Sequence, residues 1–358
     1  MRLPVKLQKS DKTMTRTFIC FIRLIYALLY FLALPAVATA GNYAASFLDI
    51  GVGARALGMG GAFSGLADDA TAFYWNPAGL SFLESTQISG MYAPQYGSVR
   101  NPMGTFHYLG FSQPLIGGAA IGFNWIRLSV DDIPVYSELP GSYWDRIHDP
   151  SLRPTGEPEG YLSDTEDAFF FTFSKMNRTY LDMGWKFHQV RVDMPVGINI
   201  KWIRQSVGDV SATGLGLDIG AQIRMHVDDL FNSTQYGKLC FGFHLRDITK
   251  TTLSWQTRHK DSIPLNFIWG MAYYFPLAGD KHALWLSYDH ESRWGGEKHW
   301  GIEYNGFRVL SVRFGAHGGR ISSGIGLHFL IFQIDYAFIS AMSDDLGSLH
   351  RIGFTMSF

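Results

Sequence analysis

The chain has 358 residues, with 30 Lys and Arg against 31 Asp and Glu, so its near-neutral charge offers no basic footprint for nucleic acid. Only 17% of it is charged, while glycine (39 residues) and aromatics (15%) are plentiful, a balance more apolar than that of an average soluble protein. Past residue 40 no uninterrupted apolar run of about 18 residues occurs, which excludes helical membrane spans.

The first forty residues carry Arg2, Lys6, Lys9, Lys12, Arg16 and Arg23, then the apolar run "LIYALLYFLAL", then Pro35 and "AVATA" before Gly41. This order predicts a signal peptide over 1–40, cut after Ala40, with Met14 as an alternative start; an uncleaved anchor helix is the rival reading. Export removes Cys20 and leaves Cys240 without a partner for a disulfide. It also leaves 24 basic against 30 acidic residues.

Residues 41–84 do not alternate. "GVGARALGMGG" has the glycine density of a nucleotide cradle but neither follows a strand nor opens a helix in a parallel unit, so the dinucleotide reading fails. Two readings remain: a close-packed glycine connector, and a plug folded back into a barrel mouth. "ADDATAFYWNPAGL" predicts a short helix with Asp68 and Asp69 near its start, broken by Asn76 and Pro77.

From residue 85 the period becomes two. In "GLGLDIGAQIRM", Leu215, Leu217, Ile219, Ala221 and Ile223 fall on one face, and Gly216, Asp218, Gly220, Gln222 and Arg224 on the other. "PVGINIKWI", "LCFGFHLR", "HWGIEYN" and "IFQIDYAFI" repeat the split. The runs approach ten residues, the length a tilted strand needs to cross a bilayer, whereas strands of a soluble sandwich are commonly about 5 or 6. Only a closed barrel leaves no unpaired backbone in hydrocarbon. The expected fold is therefore an all-β transmembrane antiparallel barrel over 85–358 with an N-terminal plug over 41–84, in the bacterial outer membrane.

Fourteen strands are expected, at 85–94, 104–113, 118–129, 166–175, 194–206, 213–226, 238–248, 264–275, 282–291, 297–305, 308–316, 320–329, 331–341 and 348–358. The segments 181–190 and 251–255 are also strand-like and could add a pair. A tight turn is expected at Asn305–Phe307, the Asn-Gly pair supplying positive backbone angles, on the periplasmic side. The longest gap, 131–165, falls on the outer side. In "HRIGFTMSF", Phe354, Met356 and the terminal Phe358 face lipid and resemble the assembly signal read by the barrel-insertion machinery.

"GARALGMGGAFSGLADDATAFYWNPAGL" resembles the N-terminal signature of the PorV/PorQ proteins, a branch of the FadL-like outer-membrane barrels, and "DDLGSLHRIGFTMSF" resembles their last strand. The resemblance implies a hatch inside a fourteen-stranded barrel, formed here by Arg55, Gly60, Gly61, Asp68, Asp69, Asn76, Pro77, Ala78 and Gly79. It implies either a type IX secretion component acting by contact with a translocon or secreted cargo, or a FadL-like conduit for hydrophobic compounds such as long-chain fatty acids.

Alternation directs Lys201, Asp218, Arg224, His244, Arg246, Asp289, His299, Glu303, Asp335 and Arg351 into the lumen. They either line a permeation path or pair with one another and with Arg55, Asp68 and Asp69 of the plug. The 131–167 loop, with ten acidic residues and five prolines, docks a partner through Tyr136, Tyr143 and Trp144 or is a solvated surface; its carboxylate spacing matches no calcium loop. His282, His290 and His299 read as single girdle or lumen residues, and neither H-E-x-x-H nor G-x-S-x-G occurs. "HKD" at 259–261 reads as loop. No enzyme, cofactor or metal is expected.

Overall fold

A computed structural model describes residues 44–358, apart from 99, 155, 183, 185–188, 278–280 and 342–346. The leader expected over 1–40 and the first residues of the plug lie outside the described residues.

The strands are β1 (Gln87–Ser98), β2 (Asn101–Leu115), β3 (Ala119–Val135), β4 (Gly160–Lys175), β5 (Arg178–Asp182) and β6 (Gln189–Asp193). Then come β7 (Val196–Val207), β8 (Val210–His226), β9 (Lys238–Arg246), β10 (Thr252–Trp255), β11 (Lys260–Ser262) and β12 (Asn266–Leu277). The last six are β13 (His282–Glu291), β14 (Glu297–Gly306), β15 (Leu310–His317), β16 (Arg320–Phe329), β17 (Phe332–Ile339) and β18 (Leu349–Ser357). Fourteen of these form an antiparallel wall that closes on itself where β1 pairs β18, from Gln87 against Ser357 to Tyr92 against Ile352. β5–β6 and β10–β11 are short hairpins beside it, with β4 pairing β7 and β9 pairing β12 past them. Closure matters because hydrocarbon offers no partner to an open strand edge.

The chemistry of each strand fixes its faces. Along β7, Val196, Ile198, Ile200 and Trp202 are exposed outside, while Asn199, Lys201 and Ile203 are buried in the bore. Outward aromatics stack across strands, as Phe169 does on Trp202 at 5.5 Å. The exterior is oily and the interior holds the ions, the inverse of a soluble core.

Three local expectations are corrected. In β14–β15 the register pairs Gly306 with Leu310, so the positive angles fall on Phe307 (φ 54°) and Arg308 (φ 59°), two residues past Asn305. β3 and β4 run on to Val135 and back from Gly160, which shortens the expected 131–167 loop to residues 136–159. β11 takes Lys260 and Asp261 out of the loop expected at 259–261 and pairs them with β10.

Candidate functional site: a segment packed in the bore

Residues 46–82 fold inside the barrel as a one-turn 3-10 helix (Ser46–Asp49), α1 (Ala54–Gly58), α2 (Ala72–Trp75) and a second 3-10 helix (Pro77–Phe82). Their apolar side chains, among them Phe47, Met59, Phe63, Leu66, Phe73 and Leu80, are buried. The expected helix is a single turn, and Asp68 and Asp69 precede it rather than cap it: Asp69 accepts from the Thr71 amide, and both carboxylates face Arg55.

Turns within the segment close many of its backbone bonds, and wall side chains supply partners for several of the groups left over at its short helices. Asn199 donates to the Phe73 carbonyl (2.6 Å), Gln222 to those of Ser64 (2.9 Å) and Ala67 (3.1 Å), Arg246 to that of Tyr74 (2.9 Å), and Ser322 to that of Gly58 (3.2 Å). Nδ1 of His299 lies 2.8 Å from the Gly60 carbonyl. Asp289 accepts from the amides of Phe63 (2.9 Å) and Ser64 (2.6 Å).

Asn76 explains the Asn-Pro-Ala-Gly sequence. Its Oδ1 accepts from the Ala78 amide, capping a turn that opens with Pro77, while Nδ2 donates to the carbonyls of Ser64 and, on the wall, Ala221, each at 3.0 Å. Gly79 sits where a Cβ would overlap the Ala67 carbonyl. Gly60 (φ 66°) and Gly61 (φ 76°) turn the chain after α1.

The wall has glycines where this backbone touches it. A side chain at Gly242 would overlap the Ser64 carbonyl, at Gly315 the Met59–Gly60 peptide, and at Gly197 the Pro77–Ala78 peptide. These glycines occupy inward positions of β9, β15 and β7, so the fit is backbone on backbone.

Two ionic chains tie the segment to the wall. Arg55 bonds Asp68 (2.7 Å), Asp69 (2.9 Å) and, through Nε and Nη2, both oxygens of Glu303 (2.9 Å each). Glu303 continues to Arg313 (2.6 Å), and Arg313 to Asp335 (2.6 Å). Arg55 keeps its proton well above the usual guanidinium range: burial opposes the charge, and Glu303, Asp68 and Asp69 outweigh it. At the end away from the C-terminus, Asp49 bonds Arg293 (2.7 Å), which approaches Asp247 (3.5 Å), and Lys201 bridges Asp247 and Asp218 (2.8 Å each). Buried Tyr74, its ring under Arg246 at 4.5 Å, has its hydroxyl pushed up to about 12 by burial.

All ten residues directed into the lumen by alternation are buried there. Arg351 bonds the wall, at the Pro94 carbonyl (3.0 Å) and Gln95 (3.2 Å). Arg313 was missed although its strand was legible; Arg293, Asp247 and Asp49 lie outside strands, where no period marks them. Tyr136, Tyr143 and Trp144 are exposed on the 136–159 loop, the latter two at 67% on α3 (Tyr143–His148), which a Ser142–Asp145 capping box starts. Phe354 and Phe358 are exposed outside and Met356 is half-buried. A trio that sequence reading passed over, His226, Asp228 and Asp229, gathers ligand-type atoms within 4.8 Å around the start of α4 (Val227–Phe231). Asp229 there already accepts from the Arg191 amide (3.0 Å).

The packed segment divides the bore. Toward the C-terminal end lie two cavities of about 560 and 490 Å³ that share Asp68; toward the opposite end, cavities of about 20 and 90 Å³ flank Tyr74.

No family model and no curated protein matches the chain. Among solved structures it is similar to the monoaromatic hydrocarbon channel CymD, at 14% identity over 86% of this chain and 98% of that one, with a TM-score of 0.55. It is also similar to the toluene transporter TodX of P. putida (11% identity, 86% and 99% covered, TM-score 0.47) and to a FadL homologue of Pseudomonas aeruginosa (11%, 84% and 96%, TM-score 0.39). At such identities the CymD likeness speaks for the architecture: this chain has the closed fourteen-strand antiparallel barrel of that channel.

Proposed function

We propose that this chain is an outer-membrane channel for hydrophobic small molecules in which residues 46–82 act as a hatch. The observation that carries the reading is a fourteen-strand barrel with an oily exterior, like that of a hydrocarbon channel, whose bore is filled by a segment held through discrete polar contacts. The segment packs apolar side chains on the wall, as Phe73 does on Tyr108 (5.4 Å) and Phe170 (5.0 Å), and its polar contacts to the wall are hydrogen bonds and ion pairs that can be broken and remade one by one. The FadL-like side of the sequence resemblance points the same way. Purified protein in vesicles should accelerate entry of toluene or a long-chain fatty acid over protein-free vesicles, and equal rates would reject the reading.

The PorV/PorQ side of the resemblance supports a second reading, contact with a secretion translocon or its cargo, and the exposed Tyr136, Tyr143 and Trp144 give it a surface. Deleting 137–158, which lies within the loop, should then abolish recovery of a partner from detergent extract while leaving insertion intact.

A further inference from the structure

Outside the barrel, the register of β2, β3, β4 and β7 sets the outward side chains in level rows. One row places Arg127 of β3 against Asp167 of β4 and Asp167 against Arg204 of β7, with His107 of β2 opposite Arg127. The next outward row toward the C-terminal end, about 6.6 Å along the strands, is Trp125, Phe169 and Trp202, and apolar residues follow below it. In the other direction the next row is hydroxylic, with Thr105, Ser129, Thr165 and Ser206 side by side and half-buried. The rows lie toward the end opposite the C-terminus, which is the cell-surface end when the short β14–β15 turn is periplasmic.

Charge facing the apolar band of a bilayer is costly, so a cationic row directly above an aromatic one marks the level of the lipid headgroups. The three aromatic rings stack as a slab, with Phe169 6.4 Å from Trp125 and 5.5 Å from Trp202. Arg127 is held in place above it. Its Nε and Nη2 bond the two oxygens of Asp167 (2.8 Å each), the Trp125 indole donates to the same carboxylate (2.8 Å), and the guanidinium stands 5.1 Å from the Trp125 ring. The Arg127 side chain is still 41% exposed, with Nη1 left over for a further acceptor. Arg204 is exposed and forms no salt bridge among the described residues. One carboxylate thus stands between two guanidiniums, and the row keeps a net positive charge on the outer wall.

We infer that this face binds a phosphorylated glycolipid of the outer leaflet, its acyl chains along the aromatic slab, a sugar phosphate between Arg127 and Arg204, and sugar hydroxyls against the Ser/Thr row. The order of the rows carries the choice. An anionic phospholipid satisfies the arginines alone, whereas a phosphosugar also brings hydroxyls that donate to and accept from Thr165 and Ser206 one row higher. The site is on the outer wall, so it stands whether or not the bore conducts.

Native mass spectrometry of the full protein in neutral detergent micelles, with diphosphoryl lipid A, its dephosphorylated form and phosphatidylglycerol, tests it. Diphosphoryl lipid A should be retained, and the dephosphorylated form at least roughly tenfold more weakly, the loss of a charge-assisted pair. Phosphatidylglycerol should also bind more weakly than diphosphoryl lipid A. Arg204→Gln should weaken lipid A by about the same tenfold factor. Asp167→Asn, which removes the competing carboxylate and leaves both arginines, should tighten it several-fold. Lys175→Gln, at the opposite end of β4, should change nothing, and heat-dependent gel mobility checks that each variant is folded. Equal retention of the two forms of lipid A, phosphatidylglycerol held as tightly as lipid A, or lipid A binding that neither Arg204→Gln nor Asp167→Asn changes would overturn the inference. So would a loss in Lys175→Gln equal to that in Arg204→Gln.

Discussion

Replacing Arg55 by Met removes the residue that joins the packed segment to the wall through Glu303 while keeping the length of the side chain. The Arg55 side chain is 16% exposed and Glu303 1%, so the Arg55–Glu303 fork lies in a place where solvent does little screening. Glu303 retains Arg313 at 2.6 Å, and Asp68 and Asp69, which also lose Arg55, are each 22% exposed to solvent, so the variant leaves no fully buried charge bare. The loss is then that of a charge-assisted fork, about 2–3 kcal/mol, rather than the larger penalty of an orphaned buried ion. If release of the segment opens the bore, the open population rises by about 25- to 150-fold, each 1.4 kcal/mol being a factor of ten. Planar-bilayer recording of purified protein reads that population as the frequency of conductance openings. Lys298→Met, a charge change at an exposed position of β14, is the control and should behave as wild type. Openings no more frequent in Arg55→Met than in that control would refute the latch argument.

Gly242→Ala should lower the denaturant midpoint by the equivalent of about 1–3 kcal/mol, because the obstacle is the Ser64 backbone rather than a movable side chain. Gly160→Ala, where nothing lies within 4 Å, should leave the midpoint unchanged, and equal effects of the two would contradict the close fit. Asn76→Ala removes a cap worth about 1 kcal/mol and also strips a donor from the Ala221 and Ser64 carbonyls, so its cost should exceed that of the cap alone; a loss under about 1 kcal/mol would show the clamp to be idle. Asp193 responds to pH: burial pushes its carboxyl up, but hydrogen bonds from Arg191 and Arg178 hold it down to about 2. Its contribution to the β5–β6 hairpin is thus complete above the unfolded value of about 3.9 and fades as the pH falls toward 2. Hydrogen-exchange protection of that hairpin should weaken over this range in wild type and not in Asp193→Asn.

The alternation of β7, β8 and β9 made the barrel readable from sequence, since Lys201, Asp218 and His244 each sit between outward apolar residues. The same pattern put glycines at 197, 220 and 242 on the polar face, and their meaning emerges only with the packed segment in place: its backbone lies against Gly197 and Gly242, and its Asn76 and Pro77 side chains fill the space beside Gly220. Turn placement was harder, because one shift of register moves the positive angles from Asn305 to Phe307, against the local preference for Asn-Gly. The 46–82 segment has no period, and its partners lie more than a hundred residues away, as with Arg55 and Glu303. Its contacts were therefore visible in sequence only as residue types, not as pairs.

The account stands or falls on whether residues 46–82 must move for solute to pass. A Cβ at Gly353 would lie 3.3 Å from that of Ala54, close to the separation of about 3.5–4.5 Å in disulfides, so Ala54→Cys with Gly353→Cys should bind α1 to β18 on oxidation. With Cys240 changed to Ser, toluene entry into vesicles carrying the oxidised protein should fall to the protein-free rate and return on reduction. Equal entry before and after reduction, with the cross-link verified, would contradict the hatch.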